Sequence, residues 1–212
     1  MLAGGHPALD LVNTRDRWGV PAGQEPEDHL TDPDALLAWA RRADVVTGAE
    51  AEAVAAAWGQ DPGSGAAAVD ATNDVREALY ACLVTAIGAE PYDPGAQASA
   101  LERLRCRWSA AAGRSTLVFE PDSPHVARLV MGVVPAQLVP DRLAAAALDL
   151  LQTADLTRIR RCPTDAGGCG WLFLDRTRNR SRRWCRMEDC GTEVKTRRLT
   201  ERRRAARNST ST

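Results

Sequence analysis

The sequence predicts an α+β protein: a mostly helical N-terminal domain with a small sheet, followed by a compact cysteine-rich module. Residues 1–157 contain several amphipathic segments with helix-capping signals and one short strand pattern. Residues 158–207 contain four cysteines in two close pairs, and 16 Lys and Arg against 6 Asp and Glu give them a net charge of +10. The rest of the chain holds 11 basic and 22 acidic residues, a net charge of −11. This division predicts an acidic globular body and a cationic module that binds a polyanion.

Capping signals place the first helices. Asp32 and Asp93 are each followed by proline; aspartate caps free amides, and proline suits the first helical position. Thr47 and Glu50 form a capping box that opens an alanine-rich helix ending near Gly59. Further helices are predicted over residues 75–86 and 140–155, with a linker over residues 60–65.

The remaining elements of the N-terminal domain are shorter. Residues 6–14 are an apolar N-terminal segment whose type the pattern leaves open. Residues 116–120 are the best strand candidate of the N-terminal part, and residues 125–131 are expected to pair with them. From the helix that follows Asp93, we expect Leu101, Leu104 and Trp108 to face inward. Cys82 and Cys106 lie in helical patterns, and both are expected to be small core residues.

The four clustered cysteines have the layout of a tetrahedral zinc site. Cys162 and Cys169 are separated by six residues, Cys185 and Cys190 by four, and 15 residues lie between the pairs. Thiolates bind Zn²⁺ at about 2.3 Å, and four protein ligands leave no open position, which predicts a structural zinc. Four free thiols and an iron–sulfur cluster are the alternatives, although the spacing matches no common cluster pattern. A module with so few apolar residues also needs the folding free energy that a metal supplies.

The order of elements around the cysteines predicts a treble-clef finger. Glycines are expected to permit the tight turns that aim backbone amides at sulfur. The predicted elements are a knuckle over 162–169, a hairpin over 171–184, a second knuckle over 185–190 and a helix over 191–207, with glycines at Gly167, Gly168 and Gly191.

The arginines of the module predict contacts to the phosphates of nucleic acid. Val194 and Leu199 are expected to anchor the last helix to the finger, while its cations face outward. Two alternatives stay open: a solvated basic tail without a partner, and arginines next to the cysteines (Arg161, Arg183, Arg186) that neutralise the thiolates. The predicted DNA-binding residues are Arg178, Arg180, Arg182, Arg183, Lys195, Arg197, Arg198 and Arg202.

Three stretches resemble a known family. The residues from Cys169 to Asp175 (Cys-Gly-Trp-Leu-Phe-Leu-Asp), from Arg178 to Cys185, and from Cys190 to Lys195 are similar to the CGNR zinc finger. The segment from Gly4 to Thr14 resembles the start of the ABATE domain, which is usually attached to that finger. The resemblance spans nearly the whole chain and is most specific in the finger.

The resemblance implies a bacterial regulator of transcription that binds double-stranded DNA and whose N-terminal domain senses a small molecule. It implies that the four cysteines hold structural Zn²⁺ and that the module's arginines contact DNA. The chain departs from the family motif, because Thr192 and Glu193 stand where Asn and Arg give the family its name. This puts an anion at the start of the helix and bears on sequence recognition. The domains implied are an ABATE-like domain over 1–157, a treble-clef finger with four cysteine ligands over 158–207 and a disordered tail over 208–212.

A second hypothesis is a family member repurposed as a ligand-binding or enzymatic protein with a purely structural zinc. Its pocket would lie in the N-terminal domain, although no triad or carboxylate pair with catalytic spacing appears, so an enzyme is not favoured. The side chains near the N-terminus more often cap or tie an element than bind a ligand. The candidate ligand-binding residues are His6, Asp10, Asn13, Thr14, Arg15 and Trp18. A scaffold or RNA-binding protein is a third hypothesis that uses the same cations.

The location and assembly of the protein are expected from simpler features. The N-terminus lacks the basic start and apolar run of a secretion signal, and no apolar stretch approaches the roughly 18 residues that span a bilayer. A cytoplasmic protein without membrane contact is therefore expected, which also favours metal over disulfides. A homodimer is a candidate because bacterial regulators commonly read two half-sites.

Overall fold

The computed structural model describes residues 2–16, 27–121, 124–164, 168–192, 194–196 and 200. Within them the fold is α+β, with two separate two-stranded antiparallel sheets. The helices are α1 (Pro7–Val12), α2 (Pro33–Arg42), α3 (Gly48–Gln60), α4 (Pro62–Ala86), α5 (Pro94–Gly113) and α6 (Leu138–Thr153). The strands are β1 (Thr116–Phe119), β2 (Ala127–Val130), β3 (Ile159–Arg161) and β4 (Leu172–Leu174). The predictions for Trp18, Gly167, Glu193, Arg197, Arg198, Leu199, Arg202 and residues 208–212 lie outside the described residues.

Aspartate–proline pairs begin three of the helices. The carboxylates of Asp32, Asp61 and Asp93 accept hydrogen bonds from amides in the first turns of α2, α4 and α5. The capping box of Thr47 and Glu50 is present at α3. The predicted linker over 60–65 is wrong, since α4 begins at Pro62. Gly65 in the first part of α4 leaves room for Pro33, because a Cβ at Gly65 would come within 3.1 Å of the proline ring.

Helix α4 is the centre of the body and packs against α1, α5 and α6. Val75, Leu79 and Leu83 on α4 are fully or almost fully buried, as are Leu143 and Leu150 on α6. Cys82 is buried among them, as predicted.

The predicted inward face of α5 is partly wrong. Leu104 is buried, but Leu101 is 46% exposed, Trp108 is 36% exposed and Cys106 is exposed. The residues of α5 that reach the core are Ala100, Leu104 and Ala111, which share one narrow stripe. Because α5 buries only this stripe against α4 and α6, the rows beside it are largely exposed, although Arg103 and Arg107 reach across to pair with Asp74 on α4.

The strand prediction near residue 116 is confirmed. Strands β1 and β2 pair antiparallel, with Leu117 opposite Leu129 and Phe119 opposite Ala127. Both faces of this ribbon are largely exposed.

The second sheet differs from the predicted hairpin over 171–184. Strand β4 pairs with β3, which precedes the first cysteine, and Ile159 lies opposite Leu174. The chain turns at residues 177–180, inside the turn predicted over 176–180, but residues 181–184 form no strand that returns along β4. The reason is Asp175, which is buried and accepts from the amides of Thr177 and Arg182, so the chain turns away from β4 directly after the strand.

The body and the cysteine-rich module share one core. Ile159 on β3 and Leu172 on β4 belong to the same buried cluster as α1, α4 and α6. Strand β4 lies beside α1, and the Leu174 amide donates to the Gly4 carbonyl at 2.8 Å. The position of the module is therefore fixed by packing against the N-terminal segment.

A candidate zinc centre and its surroundings

The four cysteine sulfurs converge on one point. The Sγ atoms of Cys162, Cys169, Cys185 and Cys190 all lie within 4.8 Å of one another. Cys185 Sγ is 3.3 Å from that of Cys169 and 3.7 Å from that of Cys190. A tetrahedron with metal–sulfur bonds of about 2.3 Å has sulfur–sulfur edges of about 3.8 Å. These distances fit a structural Zn²⁺ held by four thiolates.

The electrostatics of the sulfurs favour a divalent cation. Hydrogen bonds from the thiols of Cys169 and Cys185 lower the pKa of Cys162, and backbone amides of the same two residues support its thiolate. Hydrogen bonding to Cys162 in turn raises the pKa of Cys169 and Cys185. One negative charge therefore forms easily among the four sulfurs, but ionising all of them requires a cation between them.

Two glycines next to the cysteines leave room for neighbouring side chains. A Cβ at Gly168 would lie 2.6 Å from Cys162 Sγ, and a Cβ at Gly191 would lie 2.4 Å from Met187 Sδ. The described glycine of this region with a positive φ is Gly170, at 82°. The sequence predicts turn formation as the reason for both glycines; in the structure Gly168 leaves space for Cys162 Sγ and Gly191 leaves space for the Met187 side chain.

A small apolar cluster supports the sulfurs. Phe173 on β4 is fully buried against the cysteines, with Trp171 and Trp184 packed at its edge. The guanidinium of Arg182 lies over the Phe173 ring, 4.5 Å from its centroid. The same guanidinium donates to the carbonyls of Ala3 and Trp184 at 3.1 Å each, and to that of Cys185.

Arg182, one of the predicted DNA-binding residues, is engaged in structural contacts. Its donors point at main-chain carbonyls of the N-terminus and of the knuckle, and with them it holds the two together. Two neighbours that were not predicted for DNA do the same: Arg176 donates to the Gly5 carbonyl at 2.6 Å, and Arg186 to the Leu2 carbonyl at 3.0 Å. The sequence did not reveal this role, because an arginine that binds main-chain carbonyls cannot be told from one that binds phosphate by its residue type.

The other predicted cations face outward. Arg178, Arg180, Arg183 and Lys195 are exposed. Arg180 donates to the Thr157 hydroxyl at 2.7 Å, and Arg183 lies over the Trp184 ring at 5.4 Å. Val194 is buried, as predicted for an anchor of the last helix.

Asp175 is a site residue that the sequence analysis did not select. Burial raises the pKa of its carboxyl, but hydrogen bonds from the Thr177 hydroxyl and from the Thr177 and Arg182 amides outweigh burial and hold the pKa below its ordinary value. The charged carboxylate orders the turn that carries Arg178 and Arg180. An aspartate two residues before a threonine is a known turn signal and could have identified it.

The candidate ligand residues near the N-terminus are mostly engaged in structural contacts. Asp10 accepts from the Ala3 and Gly4 amides at 2.7 Å each, and burial raises its pKa. The His6 side chain caps α1, and its Nε2 lies 3.2 Å from Asp149 Oδ2. Asn13 joins β4 through both polar atoms of its side-chain amide: Nδ2 donates to the Leu172 carbonyl at 2.8 Å, and Oδ1 accepts from the Leu172 amide at 2.9 Å.

Thr14 and Arg15 belong to a network around a buried arginine. Arg76 on α4 is 1% exposed, donates to the Thr14 hydroxyl at 3.1 Å and forms a bidentate pair with Asp28. Arg15 pairs with Glu77 at 2.8 Å. Of the candidates, Asn13 and Thr14 line a cavity, which also contains the Trp171 ring of the module.

Two family models match the chain. The CGNR zinc finger model matches residues 158–203, and the ABATE model, described as "Putative stress-induced transcription regulator", matches residues 5–154. The chain belongs to the ABATE family. In this ABATE protein the residues matched by the zinc finger family model begin just before β3 and include all four clustered cysteines. A search of curated proteins gave no match. In the described part of the chain, no helix is long and apolar enough to cross a membrane.

Proposed function

We propose that this ABATE protein is a bacterial, cytoplasmic regulator of transcription that binds double-stranded DNA through its zinc-stabilised finger. The observation that carries the proposal is a set of exposed cations in the finger that pair with no described carboxylate. Arg178, Arg183 and Lys195 are exposed, and none of them forms an ion pair with another described residue. Cations left without a carboxylate partner are available to phosphates.

We propose that the finger is a treble clef. Strand β3 leads into Cys162, strand β4 follows Cys169, a short helix over Met187–Gly191 contains Cys190, and the four sulfurs lie around one point. In this proposal Arg176, Arg182 and Arg186 fix the finger to the N-terminus and leave the cations of the 177–183 turn to meet the DNA backbone. Arg180 is partly committed to Thr157 and contributes less than Arg178.

Salt dependence tests the proposal directly. Duplexes selected from a random library by the zinc-loaded protein are titrated by fluorescence anisotropy at several salt concentrations. We expect log K to fall linearly with log salt, with a slope of about −0.9 for each phosphate that is neutralised. A flat plot contradicts the proposal, and stronger competition by single-stranded RNA than by duplex DNA supports an RNA-binding protein.

Matched variants locate the surface. Arg178→Ala and Arg183→Ala should each weaken binding to all sequences and reduce the salt slope by about one unit. Arg41→Ala is the control, because Arg41 is also exposed but lies on α2. An equal loss in all three variants would indicate a nonspecific charge effect and contradict the proposed surface.

A homodimer is proposed through the β1–β2 ribbon. Leu117, Phe119, Ala127 and Leu129 form one apolar face, of which Leu117 is 71% and Phe119 69% exposed. A solvated two-stranded ribbon is marginal without a covering surface. A second copy suits it, because an uncharged face is complementary to itself about a two-fold axis.

Sedimentation tests the dimer. Phe119→Ser should shift the protein to monomer, whereas Val118→Ser, on the other face of the same strand, should not. A monomeric unaltered protein at micromolar concentration contradicts this part of the proposal.

A further inference from the structure

The finger carries an apolar patch among its cations. Met187 is 46% exposed and is the only exposed large apolar side chain among the described residues from 158 onward. Trp184 is half-buried and belongs to the apolar cluster around the sulfurs. Both side chains line one cavity of about 550 Å³. Single apolar residues scattered over a surface need no explanation, but two that share a cavity are a candidate binding patch.

Contacts beneath the patch fix the position of Met187. A Cβ at Gly191 would lie 2.4 Å from Met187 Sδ and 3.2 Å from Trp184 Cδ1, so the two side chains meet at this glycine. The Met187 carbonyl accepts from the Thr192 hydroxyl at 3.0 Å. Met187 is also the first residue of the short helix that contains Cys190, so the four-sulfur centre determines where the patch lies.

The charged groups of the cavity suit DNA better than a simple anion. The lining residues include one acid, Glu188, and three cations, Arg182, Arg183 and Arg186. Arg182 and Arg186 donate to main-chain carbonyls, whereas Arg183 is exposed and lies over the Trp184 ring. A phosphate is attracted by Arg183 but repelled by Glu188. A base edge suits the carboxylate, because the amino group of cytosine donates to acids in the major groove.

We propose that Met187 and Trp184 contact the 5-methyl group of a thymine in the major groove and so give DNA binding a sequence preference. The inference rests on the proposed function and deepens it. Phosphate contacts carry no sequence information directly, so contacts to base edges must supply it. The thymine methyl is the apolar group that a base presents in the major groove, and apolar side chains recognise it. In this arrangement Arg183 pairs with the phosphate backbone.

The proposed roles of Arg183 and Met187 have separable effects. Arg183→Ala removes a phosphate contact, so it should weaken binding to all sequences and reduce the salt slope. Met187→Ala removes an apolar contact, so it should leave the salt slope unchanged and weaken binding only where the contacted base is thymine. A purely structural role of Met187 would not produce this division, because a damaged finger would lose its phosphate contacts as well.

Replacement of thymine by deoxyuridine tests the contact, because it removes only the methyl group. Duplexes selected from a random library by the zinc-loaded full chain are prepared with each thymine replaced in turn, and their affinities are measured by fluorescence anisotropy. For the unaltered protein, we expect at least one position at which deoxyuridine weakens binding about fourfold, which corresponds to one methyl group removed from an apolar contact. For Met187→Ala, the same replacement should change the affinity by less than about 1.5-fold.

Two further variants control for the fold. Met187→Gln keeps the length of the side chain but makes it polar, so it should lose the thymine effect even if the alanine variant folds poorly. Leu156→Ala removes an apolar side chain of similar exposure, 43%, that lies before the finger, so it should keep the fourfold effect. The melting temperature and the bound zinc of each variant are compared with those of the unaltered protein.

The outcomes separate this inference from the proposed function. Salt-dependent duplex binding in which no thymine matters overturns the inference and leaves the regulator proposal standing. A thymine effect that persists in a folded Met187 variant does the same. Absence of duplex binding overturns both. A thymine effect that the Met187 variants lose and Leu156→Ala keeps supports the contact.

Discussion

The bond between Asn13 and β4 gives the sharpest test of how the finger is attached to the body. Asn13 is 2% exposed and bonds both the amide and the carbonyl of Leu172. The substitution Asn13→Ala leaves two buried main-chain groups without partners. Each such loss costs about 1–3 kcal/mol, so we expect the free energy of unfolding to fall by about 2–5 kcal/mol.

A second asparagine provides the matched control. Asn73 lies on α4, and its Oδ1 is buried but has no hydrogen-bond partner among the described residues. Asn73→Ala removes no bond to that oxygen and improves helix propensity, so stability should change by less than about 1 kcal/mol. Both variants are compared with the unaltered protein by urea unfolding of the zinc-loaded form.

Two results would refute the reasoning. A loss below about 1 kcal/mol for Asn13→Ala would mean that water or a shifted strand replaces the bonds at little cost. A similar loss for Asn73→Ala would mean that any amide deletion in the body has the same effect. If the reasoning holds, Asn13→Ala should also weaken zinc retention against a chelator, because β4 carries Phe173 against the cysteines.

Three further results are expected. Removal of zinc by a chelator should unfold the finger around Phe173, and cobalt in its place should give the thiolate-to-cobalt absorption of a tetrahedral four-sulfur site; a finger that keeps its far-ultraviolet dichroism without metal would contradict a structural zinc. Gly168→Ala should lower zinc affinity, because its Cβ would lie 2.6 Å from Cys162 Sγ, whereas Gly48→Ala, with open space at its Cβ, should not. Hydrogen bonding to Arg142 holds the pKa of Glu50 at about 2, below its ordinary 4.5, so this pair stabilises the fold above pH 4.5 and loses its effect as the pH falls towards 2. Because Glu50 is about one-third exposed, we expect only about 1 kcal/mol from it; Glu50→Gln should remove that part of the acid dependence, and an unchanged pH profile would contradict the assignment.

The extent of sequence prediction differs between elements for a physical reason. The aspartate–proline starts of α2 and α5 and the Thr47 capping box were predictable because their partners lie within three residues. The inward face of α5 was only partly predictable, since its exposed row contains Leu101 and Trp108, and apolar residues are not confined to the core.

The candidate site shows the same division. Spacing identified the four cysteines, because metal ligands must converge and short loops bring them together. It did not identify which arginines clamp the N-terminus, since Arg182 meets Ala3 across 179 positions of the chain.

The sequence by itself determined the helical body, the zinc ligands and the concentration of cations at one end, because each depends on residues close together in the chain or on their number. Only the tertiary structure decided that β4 pairs with β3, that Asn13 and Arg182 join the finger to the body, and that Asn13 and Thr14 line a cavity with Trp171. Most of these contacts join residues more than a hundred positions apart, and no local pattern specifies which distant group a buried amide or guanidinium will meet.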